Sequence, residues 1–112
     1  MELTIIISGL IGFFIISSIV KSIRKKEREL ISSVTSLSRG TNSELYLILK
    51  LLKSGIPQVT IYHDLIIKRD NGKFSQIDSV IVTSVGVIVF EVKDYSGWIF
   101  GSKNDTNWTQ VL

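Results

Sequence analysis

The chain has 112 residues, 45% of them hydrophobic, and a net charge of +3 from 13 Lys and Arg against 10 Asp and Glu. That length holds one small domain at most. The absence of Cys excludes a disulfide framework, a Cys-ligated zinc or iron–sulfur site and a thiol nucleophile, and a single Pro excludes a Pro-rich disordered chain.

The first element runs from Leu3 to Val20 and reads LTIIISGLIGFFIISSIV, 18 residues without a charge. As a helix it would span about 27 Å, close to the thickness of a bilayer's hydrocarbon core. Its Ser and Thr hydroxyls can bond to the helix's own carbonyls. A cleaved signal peptide would carry basic residues before the apolar run, whereas here only Glu2 precedes it and Lys21 follows directly. A helix apolar on all sides would need a larger globular core than this chain can build. Residues 3–20 are therefore expected to be a single membrane span. Lys21, Arg24, Lys25, Lys26 and Arg28 follow it, diluted by Glu27 and Glu29. By the positive-inside rule the N-terminus lies outside and the remainder in the cytoplasm, with the basic run acting as a stop-transfer flank at the headgroups.

Residues 21–39 form a basic, then Ser-rich connector, helical where it continues the span. Thr41 to Ser54 is expected to be a helix. Asn42 or Ser43 would be its N-cap and Glu44 would sit in its first turn, with Leu45, Ile48, Leu49 and Leu52 at helical spacing and Gly55 and Pro57 stopping it. Three strands are expected next, at 58–67, 74–83 and 87–93. The Asn71-Gly72 pair turns the first hairpin and the Ser84-Val85-Gly86 group the second. Gly97 to Phe100 and Asn107 to Leu112 complete an antiparallel meander. From Gly40 onward there are seven basic and seven acidic residues, so no net positive field draws nucleic acid to this part.

Asp78, Glu91 and Lys93 carry the chemistry. Residues two apart in a strand share a face, so Glu91 and Lys93 do. A turn centred between Ser84 and Val85 pairs positions summing to 169, which sets Asp78 opposite Glu91. Two carboxylates that close among Ile and Val repel, and a hard divalent cation such as Mg²⁺ would relieve the conflict. Lys93 beside them could stabilise charge developing on a phosphate. From spacing alone, a surface ion pair of Lys93 with Glu91 accounts for the pattern better than a metal site. His63 reads as an ordinary strand side chain. Trp98 and Trp108 are expected to pack on the sheet rather than stack on bases.

These residues resemble the nuclease-related domain (NERD) family of the PD-(D/E)XK restriction-endonuclease-like superfamily. The matching text is Gln76-Ile77-Asp78, the strand Val80 to Val82, Gly86-Val87, Phe90-Glu91-Val92-Lys93, Asp94-Tyr95, Gly97-Trp98-Ile99 and Trp108. The start Gly40 to Glu44 resembles the family's opening motif, with Ser43 where the family commonly has Gly. The resemblance covers about 40–112 and implies an α/β domain of restriction-endonuclease-like type behind the membrane helix. It implies that Asp78 and Glu91, with the main-chain carbonyl of Val92, hold Mg²⁺ or Mn²⁺. Lys93 would be the catalytic lysine, Glu44 would approach the same metal or its water, and Gln76 would support them. The implied activity is phosphodiester hydrolysis of DNA or RNA. The superfamily core continues with a second helix and a fourth strand, so the expectation is an incomplete core, either a truncated gene product or one whose missing elements a partner supplies. The alternative is a non-catalytic, membrane-tethered interaction module on the same fold, favoured by the balanced charge and the missing elements.

Overall fold

The computed structural model describes residues 1–112. The order is helix α1 (Glu2–Ser32), helix α2 (Asn42–Lys53), a 3₁₀ turn (Gln58–Thr60), then strands β1 (Ile61–Lys68), β2 (Phe74–Thr83), β3 (Gly86–Phe90), β4 (Trp98–Phe100) and β5 (Thr109–Val111). This is the expected α/β architecture of an apolar N-terminal helix, a second helix and antiparallel strands.

α1 is unbroken for 31 residues, about 46 Å at 1.5 Å per residue. It is long and apolar enough to cross a membrane, and none of the residues in its most apolar stretch is buried against the rest of the chain. Its apolar surface therefore faces whatever surrounds the protein, unlike that of a core helix. The Thr4 and Ser8 hydroxyls donate to the carbonyls of Met1 and Ile5 at 2.6 and 2.8 Å, so these polar groups are satisfied within the helix. The last turns change role. Ile31 is buried and packs with Leu30 and Val34 into the domain core.

α2 begins with a capping box. Thr41 is the N-cap, one residue before the expected Asn42 or Ser43, and its hydroxyl accepts from the Glu44 N–H while the Glu44 carboxylate accepts from the Thr41 N–H. The extended backbone of Thr41 lets one side chain meet both requirements. Ile48 and Leu49 form the buried stripe of α2 and meet Ile31, Ile61 and Ile81. Only six apolar residues are buried. At roughly 1.5–3 kcal/mol per buried aliphatic side chain this is a thin core, so its polar contacts carry a larger share of the stability than usual.

β1, β2 and β3 form one antiparallel sheet in that order. β2 occupies the expected residues. β1 begins three residues later than expected, because Gln58–Thr60 forms a 3₁₀ turn after Pro57. The β2–β3 register runs from Thr83↔Gly86 to Ser79↔Phe90, all pairs summing to 169 as the turn position requires, around the two-residue loop Ser84-Val85. β3 stops at Phe90, so Glu91 to Lys93 lie beyond the ladder rather than in the expected longer strand. β4 and β5 pair only with each other, as a separate hairpin. Trp98 and Trp108 are 74% and 64% exposed, not packed on the three-stranded sheet as expected. The Trp108 indole N–H instead donates to the Ser102 carbonyl.

Candidate active site

Asp78 stands in the middle of β2, one residue past the last ladder pair with β3. Its Oδ2 accepts a 2.6 Å hydrogen bond from the Val92 N–H. The side chain thus takes the place that a backbone carbonyl would fill in a longer ladder, which explains both the end of β3 and the position of the next residues. Glu91, Val92 and Lys93 are drawn to Asp78 through the chain that carries them. Lys93 Nζ donates to Glu91 Oε1 at 2.5 Å, and both side chains are more than half exposed. The Lys93 amine is held above its ordinary value of 10.5. The Glu91 hydrogen bond comes first, then the Glu91 charge, with slight desolvation opposing and smaller contributions from Tyr95 and Asp78. Asp78, Glu91 and Lys93 therefore share one electrostatic neighbourhood, and Lys93 is a cation throughout the neutral range.

The helix start reaches the same end of the sheet by another residue. Ser43 Oγ donates to Asp94 Oδ2 at 2.8 Å, tying the first turn of α2 to the segment just after Lys93. Ser43, the residue that departs from the expected Gly, thus has its own contact.

Glu44 is placed differently from the expectation that it meets the metal with Asp78. It is 8% exposed and fully engaged. Oε1 accepts from the Thr41 N–H and hydroxyl at 3.2 and 3.0 Å, and Oε2 lies 3.1 Å from His63 Nε2. The other ring nitrogen of His63, Nδ1, is 2.9 Å from Thr35 Oγ1. With Nε2–H donating to the carboxylate, Nδ1 accepts from the Thr35 hydroxyl, and each group is satisfied. Gly40 makes this packing feasible. Its φ is +76°, and a Cβ there would fall 2.6 Å from Glu44 Oε2 and 2.7 Å from the His63 ring. His63 is thus the residue that sequence reasoning undervalued. The one signal for it was its parity with the inward-facing Ile61.

Gln76 is also engaged elsewhere. Its Nε2 donates to Asp64 Oδ1 at 2.7 Å, and Arg39 grips the same residue at Oδ2 and at its carbonyl, at 2.8 and 3.1 Å. Asp64 has a φ of +54°, a conformation an Asp tolerates better than most residues, and the β1–β2 ladder skips it. These bonds hold the local break in β1.

No three His, Asp or Glu side chains converge as a ready metal-donor group. The donors nearest to one are Asp78, whose Oδ1 makes no hydrogen bond, the exposed Glu91 carboxylate and the Val92 carbonyl. Two carboxylates and a carbonyl are hard oxygen ligands of the type Mg²⁺ accepts while keeping several waters, so this set fits such an ion. Glu44, saturated by Thr41 and His63, is not an available donor in this arrangement.

The structure is thus an α/β domain in which a Glu-Val-Lys segment is held against an Asp in the middle strand of a three-stranded sheet. The chain belongs to the nuclease-related domain (NERD) family, whose model matches residues 39–112. It is also 38% identical over 52 residues to an uncharacterized protein of Bacillus anthracis, a match covering 46% of this chain and 24% of that relative. No solved structure matches the chain.

Proposed function

We propose that the chain is a membrane-anchored, nuclease-like module that hydrolyses phosphodiester bonds of DNA or RNA with a divalent metal. The observation that carries this reading is the Asp78–Val92 hydrogen bond, which seats the Glu91 and Lys93 segment beside the β2 carboxylate. Asp78, Glu91 and the Val92 carbonyl would hold Mg²⁺ or Mn²⁺, which when bound supplies an activated water and polarises the phosphate. Lys93 donates hydrogen bonds and positive charge to the phosphate oxygens. The Glu91 carboxylate beside it favours the charged amine in the metal-free chain. Glu91 serves as a hydrogen-bond acceptor that aims the Lys93 amine. Gln76 and Arg39 hold the Asp64 break in β1, and Glu44 and His63 hold the connector and the helix start.

In this reading residues 3–20 anchor the chain in the cell membrane, 21–39 connect, and 40–112 form the nuclease-related domain on the cytoplasmic side. The basic flank after the span supports that orientation. A second reading, a tethered interaction module without catalysis, is favoured by one observation: Glu44 is occupied by Thr41 and His63 rather than presented to a metal.

The test is cleavage of single- and double-stranded DNA and RNA by the full chain in detergent, with Mg²⁺ or Mn²⁺ and a chelator blank. Metal-dependent cleavage that disappears in both Asp78→Asn and Lys93→Ala supports the first reading. A folded chain with no cleavage under any of these conditions supports the second.

A further inference from the structure

We propose that the membrane-proximal end of α1 carries a binding groove for anionic phospholipid headgroups, formed by Lys21, Arg24, Lys25 and Arg28 and closed at its far end by Leu37. The inference rests on the membrane-anchor reading and is independent of the nuclease chemistry.

Spacing comes first. At 100° per residue, positions 21, 24, 25 and 28 fall within an arc of about 100°, so four cations share one face of α1. They line a shallow groove of about 700 Å³ together with Glu29, Ser32, Ser33 and Leu37. The domain borders this face without covering it: Leu37 closes the groove, Arg28 also lines the apolar cleft with Ile31, Leu45 and Tyr46, and Lys53 pairs with Glu27 beside it.

Charge comes second. Glu29 is the single acid in the groove, and it pairs with Lys25 at 3.9 Å. Lys21, Arg24 and Arg28 have no ion-pair partner in the chain. The Ser32 and Ser33 hydroxyls donate to the Arg28 and Leu30 carbonyls, so they do not neutralise the cations. The domain from Gly40 onward is charge-balanced, which leaves the excess positive charge of the protein at this end.

Height comes third. α1 continues without a break past Val20, the last residue of the apolar run. Arg24 and Lys25 therefore stand about 6–8 Å beyond it, while a headgroup layer is about 5–7 Å thick on each side. Lys21 lies within that layer, and Arg28, about 12 Å out, can reach down along the helix. A phosphate in the groove would meet several cations at once. Lipid is favoured over nucleic acid because the span delivers these cations to the headgroups, while a polynucleotide would have to compete for them there.

The experiment uses the full chain in vesicles of phosphatidylcholine doped with spin-labelled phosphatidylglycerol or, separately, spin-labelled phosphatidylcholine. The motionally restricted fraction of each label reports the lipids held at the protein. At low salt the expected result is a preference of about five-fold or more for phosphatidylglycerol, falling toward one in high salt and in Lys21→Gln/Arg24→Gln/Lys25→Gln/Arg28→Gln. The control Lys68→Gln/Arg69→Gln/Lys73→Gln, at the turn end of the β1–β2 hairpin, should keep the preference. Circular dichroism checks that both variants fold. Equal retention of the two lipids, or a preference surviving in the four-fold variant, overturns the proposal. Displacement of the bound phosphatidylglycerol by a short oligonucleotide at equal phosphate concentration assigns the groove to nucleic acid and overturns it too. A chain released from the vesicles by alkaline carbonate overturns the anchor reading and this proposal together, and leaves the cleavage assay unaffected.

Discussion

The molecule holds two acid-containing clusters that differ in almost every physical respect. Glu44 is buried, bonded at both oxygens, and joined through His63 to Thr35, 28 residues before the histidine. Asp78, Glu91 and Lys93 sit where the β2–β3 ladder ends, with Lys93 and Glu91 exposed and one oxygen of Asp78 free. The first cluster has no donor or acceptor to spare. The second is open and unsaturated. A group that must bind an ion and a phosphate needs spare coordination, so chemistry belongs to the second cluster and scaffolding to the first.

The largest effects should come from breaking that division at its open end. Lys93→Ala and Asp78→Asn should each lower metal-dependent cleavage about 10²–10³-fold, read as initial rates on a labelled oligonucleotide. Lys93→Ala should leave the urea midpoint where it is, because the side chain is exposed. Asp78→Asn keeps an oxygen for the Val92 N–H, so it separates lost charge from lost structure.

Next come substitutions in the scaffold, read as stability. Ile48 is fully buried at the centre of the core. Ile48→Ala should cost about 2–5 kcal/mol in urea unfolding. His63→Ala strands the Glu44 carboxylate and the Thr35 hydroxyl and should cost about 2–3 kcal/mol. Gly40→Ala forces a side chain into a left-handed position against Glu44 and His63, and about 1–2 kcal/mol is expected. If these three variants lose cleavage only in proportion to the unfolded fraction, the two clusters are separate. If His63→Ala abolishes cleavage while folded, they are not.

The smallest expected effect is on pH. The folded pKa of Lys93 is raised, so its charge and its pairing with Glu91 are fully present below 10.5 and fade only as pH climbs through the higher folded value. In the metal-free chain, an NMR titration should therefore show Lys93 staying charged from pH 7 up to about 10. The pair is exposed and screened, so stability should scarcely change over that window. A Lys93 amine that titrates near pH 8 in the metal-free chain would contradict this assignment.

Much of the fold was legible because local chemistry decides it. The apolar run of α1, the helical spacing of α2 and the length of β2 follow from periodicity. The 169 register followed from a two-residue turn at Ser84 and Val85, since a tight loop leaves one way to pair the strands. The expected Asp78–Glu91 pairing became an Asp78–Val92 bond because a carboxylate can accept a main-chain N–H more favourably than it can face another carboxylate. The Thr35–His63–Glu44 chain was not legible. Its members lie 28 and 19 residues apart, and no local spacing encodes such contacts. The left-handed Asp64 was hidden for the same reason, since Arg39 and Gln76 stabilise it from other segments.

The most direct test of the division is a Mn²⁺ titration of the full chain in detergent, followed by the electron paramagnetic resonance signal of the free ion. The comparison is between the native chain, Asp78→Asn and Glu44→Gln. Glutamine keeps an oxygen for Thr41 and offers an amide N–H to His63 Nε2, which accepts it once the ring proton moves to Nδ1 and donates to Thr35 Oγ1. The account predicts one site, weakened at least about ten-fold in Asp78→Asn and unchanged in Glu44→Gln. Unweakened binding in Asp78→Asn, or binding lost in a folded Glu44→Gln, would contradict it.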